Sequence, residues 1–155
     1  MIKTMEQWLT GKRLLIILTI AAAVWFSFAA VMTVLRYRLN YAPAYDFGIF
    51  SQMYYYMDKC LSPLTTCERD GLLSHFAVHL SPVFYVLLPF YKLFPRPETL
   101  LVLQSLVVIS GMVPLCLLTR AFGFTRPQTL CYGLMYCFFA PPPALSITWS
   151  KWNTA

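Results

Sequence analysis

Residues 14–35, LLIILTIAAAVWFSFAAVMTVL, run for 22 positions without an Asp, Glu, Lys or Arg. At 1.5 Å per residue they make about 33 Å of helix, enough for a hydrocarbon core of roughly 30 Å. A chain with such a run must bury it in a large core or give it to lipid, and the remaining sequence favours lipid. Residues 71–91, 99–119 and 127–150 also lack all four charged types, while residues 36–70 hold eight of the eighteen charged side chains. Only 12% of the 155 residues are charged, against roughly a quarter in soluble domains. The pattern predicts an all-α fold: a polytopic helical membrane protein with three or four transmembrane helices and a short interfacial amphipathic helix.

The net charge of +6 does not point to nucleic acid, because the basic residues flank apolar runs instead of sharing one face. Lys3, Lys12 and Arg13 precede the first run, so residues 1–13 are expected in the cytoplasm and residues 36–79 in an extracytoplasmic loop. A cleaved signal peptide is the rival reading; its apolar core would be unusually long, and no convincing small-x-small cleavage site follows. Ser81-Pro82 reads as an N-cap with proline at the first helical position. A helix over 80–94 is then short for a crossing, and is either transmembrane or interfacial; started at Leu72 it is long enough. Residues 97–119 form a second long span, with Pro114 placed to kink it. TRPQ, residues 125–128, reads as a capping box. It opens a partial span over 127–140 that Pro141-Pro142-Pro143 should stop, leaving 141–155 as an irregular tail. Alternating crossings put Arg120 and Arg126 outside, and an interfacial 80–94 puts Lys92 and Arg96 there, so charge does not choose between the two.

The loop carries the candidate chemistry. YAPAYDFGIFSQMYYYMDK, residues 41–59, sets Asp46 among seven Tyr and Phe residues. Phe47, Phe50, Tyr54 and Met57 recur at three- and four-residue steps, which predicts an interfacial helix over about 46–58 with Asp46 at its N-cap. Two readings of Asp46 stay open: a solvated cap, or a general base or metal ligand at the membrane surface, where an ionised side chain is costly unless solvated or used. His75 and His79 share a face if helical. They can contact headgroups, backbone or a phosphate; a zinc site usually needs a third ligand, and nothing in the sequence fixes the nearby Glu68 or Asp70 in space. Cys60 and Cys67 are candidates to pair if the loop faces an oxidising compartment. Tyr54-Tyr55-Tyr56 suits an interfacial belt, and Gln104 and Ser105 suit hydrogen bonds between helices.

In order, YDFGIFSQ (45–52), HLSPVFYVLLPFYKLFPRPETLLVLQ (79–104) and GMVPLCLLTRAFG (111–123) resemble a family of bacterial polytopic membrane proteins, domain of unknown function 2079, grouped with the GT-C glycosyltransferase superfamily. The resemblance covers about residues 41–146. It implies a GT-C-like N-terminal part whose first extracytoplasmic loop carries an acid acting as catalytic base or metal-linked residue, with a polyprenyl-phosphate sugar as donor. Asp46 matches that acid and His79 the histidine before Ser-Pro; Tyr45, Gln52 and His75 are then candidate substrate-binding residues, and a divalent cation is a candidate cofactor. Relatives run longer, so the chain reads as a truncated N-terminal fragment of a lipid-linked sugar transferase in the cell membrane. The other readings are a non-catalytic membrane scaffold, a transport-type protein, or a non-functional truncated product. The definite spans hold only Thr, Ser and Gln as polar groups, which weakens transport.

Overall fold

A computed structural model describes residues 7–39, 44–68 and 71–139. Six α-helices dominate it: α1 Gly11–Arg38, α2 Ala44–Cys60, α3 Val83–Leu93, α4 Pro97–Ser110, α5 Met112–Ala121 and α6 Arg126–Phe139. Between α2 and α3 lie two short antiparallel strands, β1 Leu64–Thr65 and β2 Leu73–Ser74, paired Leu64 to Ser74 and Thr65 to Leu73, then a 3₁₀ turn, His75–Ala77. The chain divides into two compact units: residues 34–103, and the remainder formed by the two ends.

Among the described residues, two stretches are long and apolar enough to cross a membrane: the 28 residues of α1, and the 25 residues Pro97–Ala121 that contain α4 and α5. Thr10 caps α1 by accepting the Arg13 N–H on its hydroxyl at 3.3 Å, and Arg36 and Arg38 occupy the last turn, where they complement the helix dipole. The buried residues of α1 are Leu14, Leu18, Trp25, Ala29 and Thr33, a narrow stripe at helical spacing. Six of its other large apolar side chains, Leu15, Ile16, Ile20, Val24, Phe28 and Val31, are each more than half exposed. An apolar surface of that extent suits lipid as solvent.

In the unit formed by the chain ends, Leu9, Leu14, Leu18 and Met112 make one cluster and Trp25, Ala29 and Ile109 another. Gly133 of α6 faces Leu18 so closely that a Cβ there would collide with the leucine Cδ2; the glycine permits this approach. The long span is broken at Gly111. Pro114 has no N–H to give the Ser110 carbonyl, and the break falls one turn before it: the Gly111 N–H bonds the Val108 carbonyl at 3.1 Å. That carbonyl also accepts the Tyr136 hydroxyl, at 2.5 Å. After α5, Gly123 adopts φ +73°, with its N–H on the Arg120 carbonyl and that of Phe124 on the Thr119 carbonyl, both at 3.0 Å. This is the Schellman pattern that stops a helix. Half of the capping box of α6 forms: Gln128 Oε1 accepts from the Thr125 N–H and from the Thr125 hydroxyl, both at 2.9 Å.

In the unit of residues 34–103, Met53, Tyr54 and Met57 of α2 pack with Leu88 and Tyr91 of α3, and Phe84, Leu87 and Leu100 flank them. Two expectations change here. Helix α3 begins at Val83 with Pro82 in the cap position and no side-chain cap bond, so it does not reach back to Leu72. Ser81 precedes a proline and is disfavoured from helix, and Leu73 and Ser74 pair with β1 instead. Helix α2 opens at Ala44, which makes Asp46 a first-turn residue in place of the N-cap. The irregular tail over 141–155 lies outside the described residues.

Candidate functional site

The loop that carries the candidate residues is organised by α2. The helix ends at Cys60, and Leu61 takes φ +56°, with its N–H on the Met57 carbonyl at 3.1 Å: the left-handed stop that usually falls to glycine. Leucine is strained there, and its carbonyl is held by the Tyr85 hydroxyl at 2.8 Å. The chain then returns along α2. Gln52 holds it: its Oε1 accepts from Thr65 Oγ1 at 3.0 Å and from the Thr66 N–H at 2.9 Å, and the Cys67 thiol lies 3.2 Å away. Its Nε2 donates to Thr66 Oγ1 at 2.9 Å. Gln52, expected to bind substrate, therefore spends its side chain tying residues 65–67 to α2.

Beyond this clamp, His75 opens the 3₁₀ turn, its N–H on the Pro63 carbonyl at 2.7 Å. Ser74 caps the turn by accepting the Phe76 N–H at 3.3 Å. His75 is 3% exposed, ringed by Phe50 at 5.5 Å, Phe84 at 5.9 Å and His79 at 5.9 Å between ring centroids. Its Nδ1 lies 2.8 Å from Glu68 Oε2, an ion pair whenever the imidazole is protonated. His79 follows one turn later, its N–H on the His75 carbonyl at 3.0 Å, and its side chain is exposed. The two histidines are thus neighbours, through a single tight turn instead of a helix face. Sequence reasoning missed the part played by Glu68: seven positions from His75 in an irregular segment, it has no periodic signal to tie the two together.

Tyr54 is 3% exposed, and burial lifts its phenol to about 12; its hydroxyl donates to the Phe84 carbonyl at 3.3 Å. Cys60 and Cys67 both carry thiols, that of Cys60 on the Tyr56 carbonyl at 3.1 Å. Tyr45 and Asp46 lie in α2, but their side chains fall outside the described residues. Among the described residues no three His, Cys, Asp or Glu side chains gather to hold a metal ion. His75 and Glu68 alone do not make up a cation site.

The predicted membrane protein family DUF2079 matches residues 35–145, which takes in the whole loop and the helices that follow it. No curated protein and no solved structure matches the chain.

Proposed function

Since the chain belongs to this family of membrane proteins, we propose that it serves lipid-linked sugar transfer of the GT-C type at the outer surface of a bacterial cell membrane. In this reading residues 1–13 are cytoplasmic, residues 14–35 and 97–119 cross the bilayer, and residues 36–79 form the outer loop. The segment over 80–94 lies in or along the membrane, and 127–140 enters it. The donor is a polyprenyl-phosphate sugar. Asp46 accepts a proton from, or orients, the acceptor hydroxyl, and His79 contacts the donor phosphate, with Tyr45 and His75 beside them as substrate-binding residues.

One juxtaposition supports this reading: an exposed His79 next to the buried His75–Glu68 pair, within a loop packed on an aromatic helix. A histidine can meet phosphate as a hydrogen-bond donor, while the Tyr- and Phe-rich helix suits the headgroup layer where a lipid-linked donor presents its sugar. The test is Asp46→Asn and His79→Asn in a longer family member, read as turnover of lipid-linked sugar. Each substitution is expected to lose most of the transfer. An unchanged lipid-linked sugar profile contradicts the assignment.

A further inference from the structure

His75 is enclosed, but one of its atoms is not. Among the described residues no side-chain nitrogen or oxygen is both cut off from solvent and without a hydrogen-bond partner. Nδ1 of His75 is bonded to Glu68 and Nε2 has no partner among the described residues, so Nε2 is not wholly cut off from solvent although the residue is only 3% exposed. A carboxylate on one imidazole nitrogen keeps the proton there and leaves the lone pair on the other. Phe50 and Phe84 wall the ring, and an apolar wall strengthens the bond to Glu68 by excluding water. Among the described residues the titratable neighbours that face the ring are Glu68 and His79, and α2 and α3 present Phe50 and Phe84 to it.

We propose that His75 and Glu68 form a proton-accepting dyad: His75 Nε2 takes the proton of the acceptor hydroxyl, and Glu68 is the positioning residue that sets tautomer and ring orientation. The substrate class rests on the transferase reading above. In the step, the hydroxyl oxygen bonds the anomeric carbon of the sugar, and the bond from that carbon to the donor's phosphate oxygen breaks. The bonding pair leaves with the polyprenyl phosphate, and the hydroxyl proton passes to Nε2. The resulting imidazolium lies against the Glu68 carboxylate, which stabilises it. Asp46 is left the orienting share of the work.

The chain has only two histidines, which makes the tautomer readable. In detergent micelles with ¹⁵N-labelled histidine, a long-range proton–nitrogen correlation in mildly alkaline buffer should show His75 as the Nδ1–H tautomer, the minor form of free imidazole. His79→Asn assigns the signal by removing the other ring and should leave it unchanged. Glu68→Ala should lose the Nδ1–H tautomer. Diethyl pyrocarbonate should acylate His75 at Nε2 despite its burial. An Nε2–H tautomer at His75 in the wild-type chain, or no acylation at His75 while His79 reacts, overturns the dyad, and the acylation result depends on no variant folding. The same preparation is then offered a photoreactive polyprenyl-phosphate sugar. Capture supports the substrate class; failure of capture with the tautomer intact overturns the transferase reading and leaves the dyad standing.

Discussion

The hydroxyls of the two membrane-length stretches and the polar side chains of the loop find their partners in opposite ways. In the unit built from the chain ends, a hydroxyl on a membrane-length helix turns back on that helix: Thr33 Oγ1 bonds the Ala29 carbonyl at 2.8 Å, Ser110 Oγ the Val107 carbonyl at 2.7 Å, and Thr119 Oγ1 the Cys116 carbonyl at 2.9 Å. In the unit of residues 34–103, polar side chains join segments far apart in sequence: Gln52 to residues 65–67, Glu68 to His75, and Arg38 to Glu98 at 3.4 Å. A hydroxyl in hydrocarbon has no water to fall back on, so the nearest carbonyl of its own helix is its safest partner. A loop at the membrane surface can use polar bonds to hold an irregular path, and that is where ionisable groups collect.

The largest expected effect separates core from lipid face. Met57 is fully buried and Val24 is 65% exposed. Met57→Ala should cost about 2–5 kcal/mol of unfolding free energy, and Val24→Ala within about 0.5 kcal/mol, both read by denaturant titration in detergent. Equal costs would break the comparison. A smaller effect sharpens it: Gln52→Leu strips the clamp from Thr65 and Thr66 and should cost about 1 kcal/mol, with faster proteolysis within residues 61–68. Thr33→Val, which removes a bond local to its helix, should cost only about 0.6 kcal/mol and leave proteolysis unchanged. The smallest effect, absent at neutral pH, concerns Tyr54. Its phenol ionises near 12 in the fold and near its ordinary value of about 10 when unfolded. The stability from its burial is therefore complete below pH 10 and lost as pH rises through 12. Ultraviolet titration should show one tyrosine silent until about pH 12, and Tyr54→Phe should remove that late step.

The helices were legible in the sequence because each rule behind them is local. The uncharged run over 14–35 falls within α1, the TRPQ box opens α6, and the Pro114 kink falls one turn upstream at Gly111. The path of residues 61–82 was not legible, because it is set by bonds between distant residues. Leu61 takes a glycine-like conformation with nothing in its identity to announce it, and the strand pairing of Leu64 with Ser74 joins two residues of no matching pattern. The candidate site was half legible. His75 and His79 stood out by type, whereas Glu68 gains meaning only when the loop folds it onto His75. Gln52 stood out for a substrate role and is engaged in holding the loop.

The central claim is that lipid surrounds α1 and the Pro97–Ala121 stretch while residues 62–68 stand in water. A membrane-partitioned diazirine, photolysed with the chain in liposomes and mapped by mass spectrometry, tests it in one experiment. The account predicts adducts on the exposed apolar faces of the two long stretches, at positions such as Val24, Phe28, Val113 and Leu117, and almost none between Ser62 and Glu68. Adducts absent from those faces, or spread evenly into residues 62–68, would contradict it.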